Sequence, residues 1–108
     1  MKVKFVNNVT KTCNAPTEQK VFKNVGGETT GTGWVLMFRL LGEITSSELD
    51  ELVTVENVSS LEFFVDSEEG EDITLFTLAG YDKITASTIR HAEDESATYA
   101  EIQLSKGV

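Results

Sequence analysis

The sequence predicts a mainly β fold with a minor α component. The expected architecture is an antiparallel two-layer sandwich or partial barrel of six to eight short strands, with one short helix near residues 46–53. Several short runs alternate apolar and polar side chains with the period of two that a half-buried strand requires. Polar turns of hairpin length separate these runs, and a single stretch carries the signals of a helix start. A chain of 108 residues has the usual size of one domain, so residues 1–108 are expected to form a single domain.

The most apolar run of the chain is residues 34–41, which carries Arg39 as its one charge. A run this short could be a helix or a strand. We favour a strand, because the run follows glycines and because a separate helix start comes almost at once. Both faces of such a strand would be apolar, which predicts that both are covered. Arg39 is then expected either to pair with a carboxylate from a later strand or to emerge at an interface.

The N-terminal third is predicted to hold strands at residues 1–6, 9–13 and 21–25, with a polar loop at residues 14–20. Residues 26–33 are rich in glycine and threonine. They do not end in the Gly-Lys-Ser/Thr sequence of a phosphate-binding loop, so we interpret them as a flexible connector or hairpin end.

The helix start is the clearest local signal. Thr45 and Glu48 have the spacing of a capping box, in which the Thr45 hydroxyl accepts from the Glu48 backbone N–H and the Glu48 carboxylate reaches back to the Thr45 backbone N–H. Ile44 and Leu49 are placed as a hydrophobic staple around it. Leu52 extends the apolar stripe, so the helix is expected to dock on the core and to end near residue 54.

The C-terminal half is predicted to be strands joined by hairpins, at residues 61–65, 73–78, 81–91 and 99–104. Two of the connecting turns are strongly acidic. The candidate partner-binding residues on these turns are Asp66, Glu68, Glu69, Glu71, Asp72, Glu93, Asp94 and Glu95. If both turns lie at the same end of the domain, they merge into one acidic patch, which is the candidate contact surface.

The charge of the chain is unevenly distributed. The formal net charge is −9, with 9 basic and 18 acidic residues. Residues 1–44 hold six of the basic and three of the acidic residues, while residues 45–108 hold three basic and fifteen acidic residues. Because phosphates would be repelled, this distribution argues against direct binding of nucleic acid by the C-terminal part. An acidic surface that keeps a small protein soluble is the preferred interpretation, and attraction to a basic protein partner is the alternative.

Catalytic and metal-binding constellations are not predicted. The single cysteine, Cys13, and the single histidine, His91, supply too few ligands for zinc, and nothing in the sequence brings them together as a nucleophile and base. The first acidic turn lacks the ligand spacing of a calcium loop, so a solvated loop is the preferred interpretation. No catalytic residue, metal or cofactor is therefore expected. Four aromatic residues are expected either to fill a second core layer or to form an exposed interface patch: Tyr81, Tyr99, Phe64 and Phe76.

These features predict a non-enzymatic protein–protein interaction domain with a protein partner, possibly basic, or with a second copy in a homo-oligomer. A short, acidic, β-rich chain without motifs is typical of small structural or assembly accessory proteins of phages and mobile elements. The alternative is an acidic inhibitor, anti-CRISPR-like or a nucleic-acid mimic, that docks on a basic host nucleic-acid-binding protein. The single cysteine and the lack of a membrane-spanning or secretory run predict a protein of the host cytoplasm or the virion, without a membrane partner.

Overall fold

The computed structural model describes residues 1–91 and 98–107 and shows a β-sandwich made of two antiparallel sheets. Within the described residues, the first sheet has the strand order β2-β1-β5-β6 and the second has the order β3-β4-β8-β7. The elements are β1 (Lys2–Lys4), β2 (Thr10–Thr12), β3 (Thr17–Val25), β4 (Glu28–Leu41), α1 (Ser46–Leu52), β5 (Ser60–Asp66), β6 (Asp72–Ala79), β7 (Lys83–His91) and β8 (Thr98–Gly107). The predicted sandwich with one short helix is confirmed.

The central strand is β4, which pairs with β3 on one side and β8 on the other. Leu36, Phe38 and Leu40 point into the core and are at most 2% exposed. The prediction of a strand at residues 34–41 is confirmed, but the prediction that both of its faces are covered is wrong. Met37 and Leu41 on the opposite face are 40% and 45% exposed, because the first sheet packs against only one side of the second.

The β3–β4 hairpin is longer than predicted. Strand β3 already begins at Thr17, inside the expected polar loop, and β4 begins at Glu28, inside the expected glycine connector. Only Gly26 and Gly27 form the turn, with φ angles of 59° and 84° that favour glycine. The alternation of apolar and polar residues does not predict this extension, because its side chains are polar or absent. The ladder is formed by backbone N–H and C=O groups, which every residue except proline supplies.

Helix α1 confirms the predicted helix start. The Thr45 hydroxyl oxygen accepts a hydrogen bond from the Glu48 backbone N–H at 3.1 Å. The Glu48 carboxylate was expected to accept from the Thr45 backbone N–H. It accepts instead from the Thr45 hydroxyl at 3.0 Å. Leu49 and Leu52 are buried, so the short helix is held by docking on the core. No helix within the described residues is long and apolar enough to cross a membrane.

The two sheets meet through a continuous cluster of buried side chains. Phe38 of the second sheet and Phe63 of the first form an edge-to-face pair, with ring centroids 5.6 Å apart and an interplanar angle of 89°. On its other side, Phe63 stacks on Phe76 of β6 at 5.1 Å. Phe63 is fully buried, and its contact with Phe76 links the interior of the sandwich to the partly exposed strand β6.

Candidate interaction surface

The acidic residues of the first predicted turn lie together at the end of the β5–β6 hairpin. We call this set the acidic tip; it comprises Asp66, Glu68, Glu69, Glu71 and Asp72. The turn is held by hydrogen bonds from the Ser67 N–H to the Glu71 carbonyl at 2.7 Å and from the Gly70 N–H to the Ser67 carbonyl at 3.0 Å. Gly70 has a φ of 81°, which an L side chain rarely adopts. The carboxylates are thus presented on an exposed, hydrogen-bonded turn.

One cation balances the acidic tip in part. The Lys2 ammonium lies 2.8 Å from the Asp66 carboxylate. The hydrogen bond from Lys2 is the largest cause that lowers the pKa of Asp66, and the same contact with Asp66 raises the pKa of Lys2. Within residues 1–91 and 98–107, the carboxylates of the loop between the two strands form no ion pair. The acidic tip therefore carries a net negative charge that is open to a partner.

Strand β6 forms an exposed edge of the first sheet, and three of its large apolar side chains are partly exposed to solvent. Ile73 is 49% exposed, Leu75 47% and Phe76 39%. The strand contains no lysine, arginine or proline. We refer to residues 72–79 with their unpaired backbone side as the β6 edge.

The other sheet edges within the described residues carry the features that natural proteins use to block strand pairing. Edge strand β3 contains Lys20 and Lys23, and β7 contains Lys83 and Arg90. Strand β2 is only 3 residues long and includes a lysine. The β6 edge begins at Asp72 and contains a one-residue bulge, but it is eight residues long and has no lysine, arginine or proline, which makes it the best candidate for pairing with another chain.

A bulge changes which side chains of β6 share a face. Phe76 pairs with Phe63 and Thr74 pairs with Phe64, so Leu75 is an extra residue on β6. The strict alternation expected from the sequence therefore fails at this point, because an extra residue resets the side-chain period on one strand only.

The second predicted acidic turn, with Glu93, Asp94 and Glu95, lies outside the described residues. Whether it joins the acidic tip in one patch therefore stays a prediction.

Arg39 pairs with a carboxylate from a later strand, as one of the two predicted alternatives stated. Its guanidinium lies 3.4 Å from the Glu101 carboxylate, which also accepts from Arg90 at 3.3 Å. The guanidinium also lies over the ring of Tyr99, 4.7 Å from its centroid. Arg39 is half exposed. On the outer face of the second sheet, the guanidinium groups of Arg39 and Arg90 therefore share the Glu101 carboxylate in a small surface network.

Cys13 and His91, the single cysteine and the single histidine, occupy different environments. Cys13 is 2% exposed, and its backbone forms an isolated antiparallel β-bridge with Leu40. Burial raises the pKa of its thiol to about 11. His91 is exposed at the end of β7, with Nδ1 3.3 Å from the Thr98 hydroxyl. Among the described residues, no group of three or more His, Cys, Asp and Glu side chains could hold a metal ion.

The four singled-out aromatic residues do not form one patch. Tyr81 and Phe64 are buried, Tyr99 is half-buried, and only Phe76 is exposed. The Tyr81 hydroxyl donates to the Glu18 carboxylate of β3. The position of β6 at a sheet edge was not predicted, because strand order cannot be obtained from the pattern of one strand. Comparisons with protein-family models, curated proteins and solved structures found no match to this chain.

Proposed function

We propose that the protein is a non-enzymatic protein–protein interaction domain, and that it binds its partner through the β6 edge with the adjoining acidic tip. The observation that carries the proposal is the eight-residue β6 edge, which partly exposes apolar side chains and has no charged residue after Asp72 at its start.

Both parts of this surface have properties that favour association. An edge strand offers unpaired backbone donors and acceptors that an added strand would satisfy. Burial of apolar surface contributes about 25 cal/mol per Å², and exposed aromatic rings such as Phe76 are typical interface anchors. The acidic tip at the end of the strand would select a partner with a basic rim and speed its approach.

We propose the setting of a small structural or assembly accessory protein of a phage or mobile element, acting in the host cytoplasm or in the virion. The short, acidic, β-rich chain supports this setting.

Site-specific photo-crosslinking in cells that express the protein tests the proposal. A benzophenone amino acid at Phe76 is expected to give a crosslink to a specific protein, because that ring lies on the β6 edge. The matched control places the same group at Gln19, which is exposed on edge strand β3. Equal yields from both positions, or no crosslink from Phe76, would contradict the proposal.

The acidic tip also favours a second candidate, the acidic inhibitor that occupies the nucleic-acid site of a basic protein. In that case, replacing Glu68, Glu69 and Glu71 with glutamine is expected to weaken binding strongly, and the affinity is expected to fall with salt, because the attraction is screened over a Debye length of about 8 Å at physiological ionic strength. DNA would compete for the captured partner. Binding that depends on Leu75 but not on the three glutamates would instead favour the β6 edge.

A further inference from the structure

We infer that the partner of the β6 edge is a second copy of this chain. Two β6 strands pair antiparallel around a two-fold axis and join two first sheets into one continuous sheet. This inference rests on the proposed interaction through the β6 edge and names the occupant of that edge. Three independent features of β6 support it.

The first feature is the order of residue classes along the strand. Residues 73–78 read Ile-Thr-Leu-Phe-Thr-Leu, which is the same sequence of apolar and threonine positions in either direction. Two-fold antiparallel pairing places each residue opposite its mirror position in the partner strand. Apolar residues then lie opposite apolar residues, and Thr74 lies opposite Thr77 of the partner subunit. Cross-strand pairs of these kinds are favourable.

The second feature is the bulge at Leu75, which makes this register possible. Ile73 lies opposite Val65, and Leu78 lies opposite Leu61, which is fully buried in the core. Val65 and Leu61 are four residues apart on β5, so they share a face, and their partners on β6 share it too. In a regular strand, residues 73 and 78 would point to opposite faces and could not be paired across a two-fold axis. The extra residue removes that conflict.

The third feature is the distribution of charge at the two ends of β6. One end begins at the acidic tip, with Glu71 and Asp72. At the other end, the Lys106 ammonium donates to the Ala79 carbonyl at 2.8 Å. In the register described, Asp72 lies opposite Ala79 of the partner subunit. Each acidic tip therefore comes next to the partner's lysine, and symmetry repeats the contact at the other end.

The same end of β6 is followed by Asp82 and Lys83, which carry opposite charges. The Glu18 carboxylate is also close, since it accepts from the Tyr81 hydroxyl, but Lys106 is the charged group that contacts the β6 backbone itself. A contact of this kind would also offset part of the repulsion between two chains that each carry a net charge of −9.

Sedimentation velocity of the purified full chain, from about 1 µM to 1 mM, tests the inference. The wild type is expected to change from monomer to dimer as concentration rises, without larger species, because a two-fold contact closes on itself. Leu75→Lys puts a charge at the centre of the β6 edge and is expected to weaken the dimer at least about 100-fold. The matched control, Gln19→Lys on edge strand β3, is expected to dimerise like the wild type. Circular dichroism verifies that both variants are folded.

A charge exchange tests the register. Glu71→Lys and Lys106→Glu are each expected to weaken the dimer about 10-fold. The double variant is expected to recover most of the wild-type affinity, because it restores opposite charges across the axis. A merely structural effect of either substitution would not be rescued in this way.

The inference is overturned if the wild type stays monomeric at every concentration, if Leu75→Lys and Gln19→Lys behave alike, or if the double variant is weaker than both single variants. These outcomes are separable from failure of the proposed function. A monomer that still crosslinks from Phe76 to a different protein in cells refutes the dimer alone. The lack of any crosslink from Phe76 refutes the proposed function.

Discussion

Phe63 contacts Phe38 of the opposite sheet and Phe76 of its own sheet. Truncating the Phe63 side chain gives a quantitative test of how the two sheets pack. Phe63 is fully buried, with Phe38 of the opposite sheet on one side and the ring of Phe76 on the other. Truncating a buried phenylalanine to alanine costs about 3–5 kcal/mol, from lost transfer free energy and the cavity left behind. We expect Phe63→Ala to fall in the upper half of that range, because aromatic pairs contribute about 0.5–1.5 kcal/mol beyond burial.

The matched comparison is Phe76→Ala at the other end of the stack. Phe76 is 39% exposed, so its truncation is expected to cost only about 1–2 kcal/mol. Urea unfolding followed by the fluorescence of the single tryptophan, Trp34, measures both values. A total stability of about 5–15 kcal/mol leaves Phe63→Ala marginal, so Phe63→Leu provides a variant that stays folded.

A double-mutant cycle with Phe38→Leu and Phe63→Leu isolates the contact between the sheets. The expected coupling is about 1 kcal/mol, since the two rings touch edge to face. Coupling near zero, or a cost of Phe63→Ala no larger than that of Phe76→Ala, would show that the two sheets do not pack through these rings.

Three further predictions follow from single side chains. Cys13 is expected to react with a thiol reagent at pH 8 at least about 100-fold more slowly in the folded than in the unfolded protein, because burial shields the thiol and raises its pKa to about 11. Burial and the hydrogen bond to Glu18 raise the pKa of Tyr81, so stability is expected to be constant up to the ordinary tyrosine pKa of about 10 and to fall as pH rises further. Urea unfolding of Tyr81→Phe between pH 8 and 11.5 should show a smaller fall. Thr45→Ala is expected to cost about 1 kcal/mol in the same assay and Ser46→Ala about a third of that, because only Thr45 caps α1.

Local signals in the sequence were sufficient where one segment determines its own structure. The helix start at Thr45 could be predicted because the cap and its partner are three residues apart, and the β5–β6 hairpin because two alternating runs flank a polar turn. The acidic tip was found for the same reason. These features depend on neighbours along the chain and not on the arrangement of the sheets.

Features that depend on strand order could not be predicted. The exposed face of β4 was expected to be covered, since Met37 and Leu41 are as apolar as the core residues beside them. Which face is covered is decided by where the first sheet packs, and this depends on contacts between distant parts of the chain. The β6 edge was missed likewise, because a strand rich in isoleucine, leucine and phenylalanine is typical of a central position.

The outer face of β4 and the β6 edge differ in a way that distinguishes the proposed binding surface from an ordinary solvated one. On the outer face of β4, Arg39 contacts both Glu101 and Tyr99, so a ligand would have to break existing interactions before forming new ones. On β6, Phe76 stacks on Phe63 and the Ala79 carbonyl accepts from Lys106, but Ile73 and Leu75 remain about half exposed, so association would bury apolar surface without breaking an ion pair. An arginine within the most apolar run of the chain is therefore explained by charge satisfaction across the sheet. The half-exposed Ile73 and Leu75 of β6 have no comparable explanation within the monomer, and this is why we propose the interaction surface there.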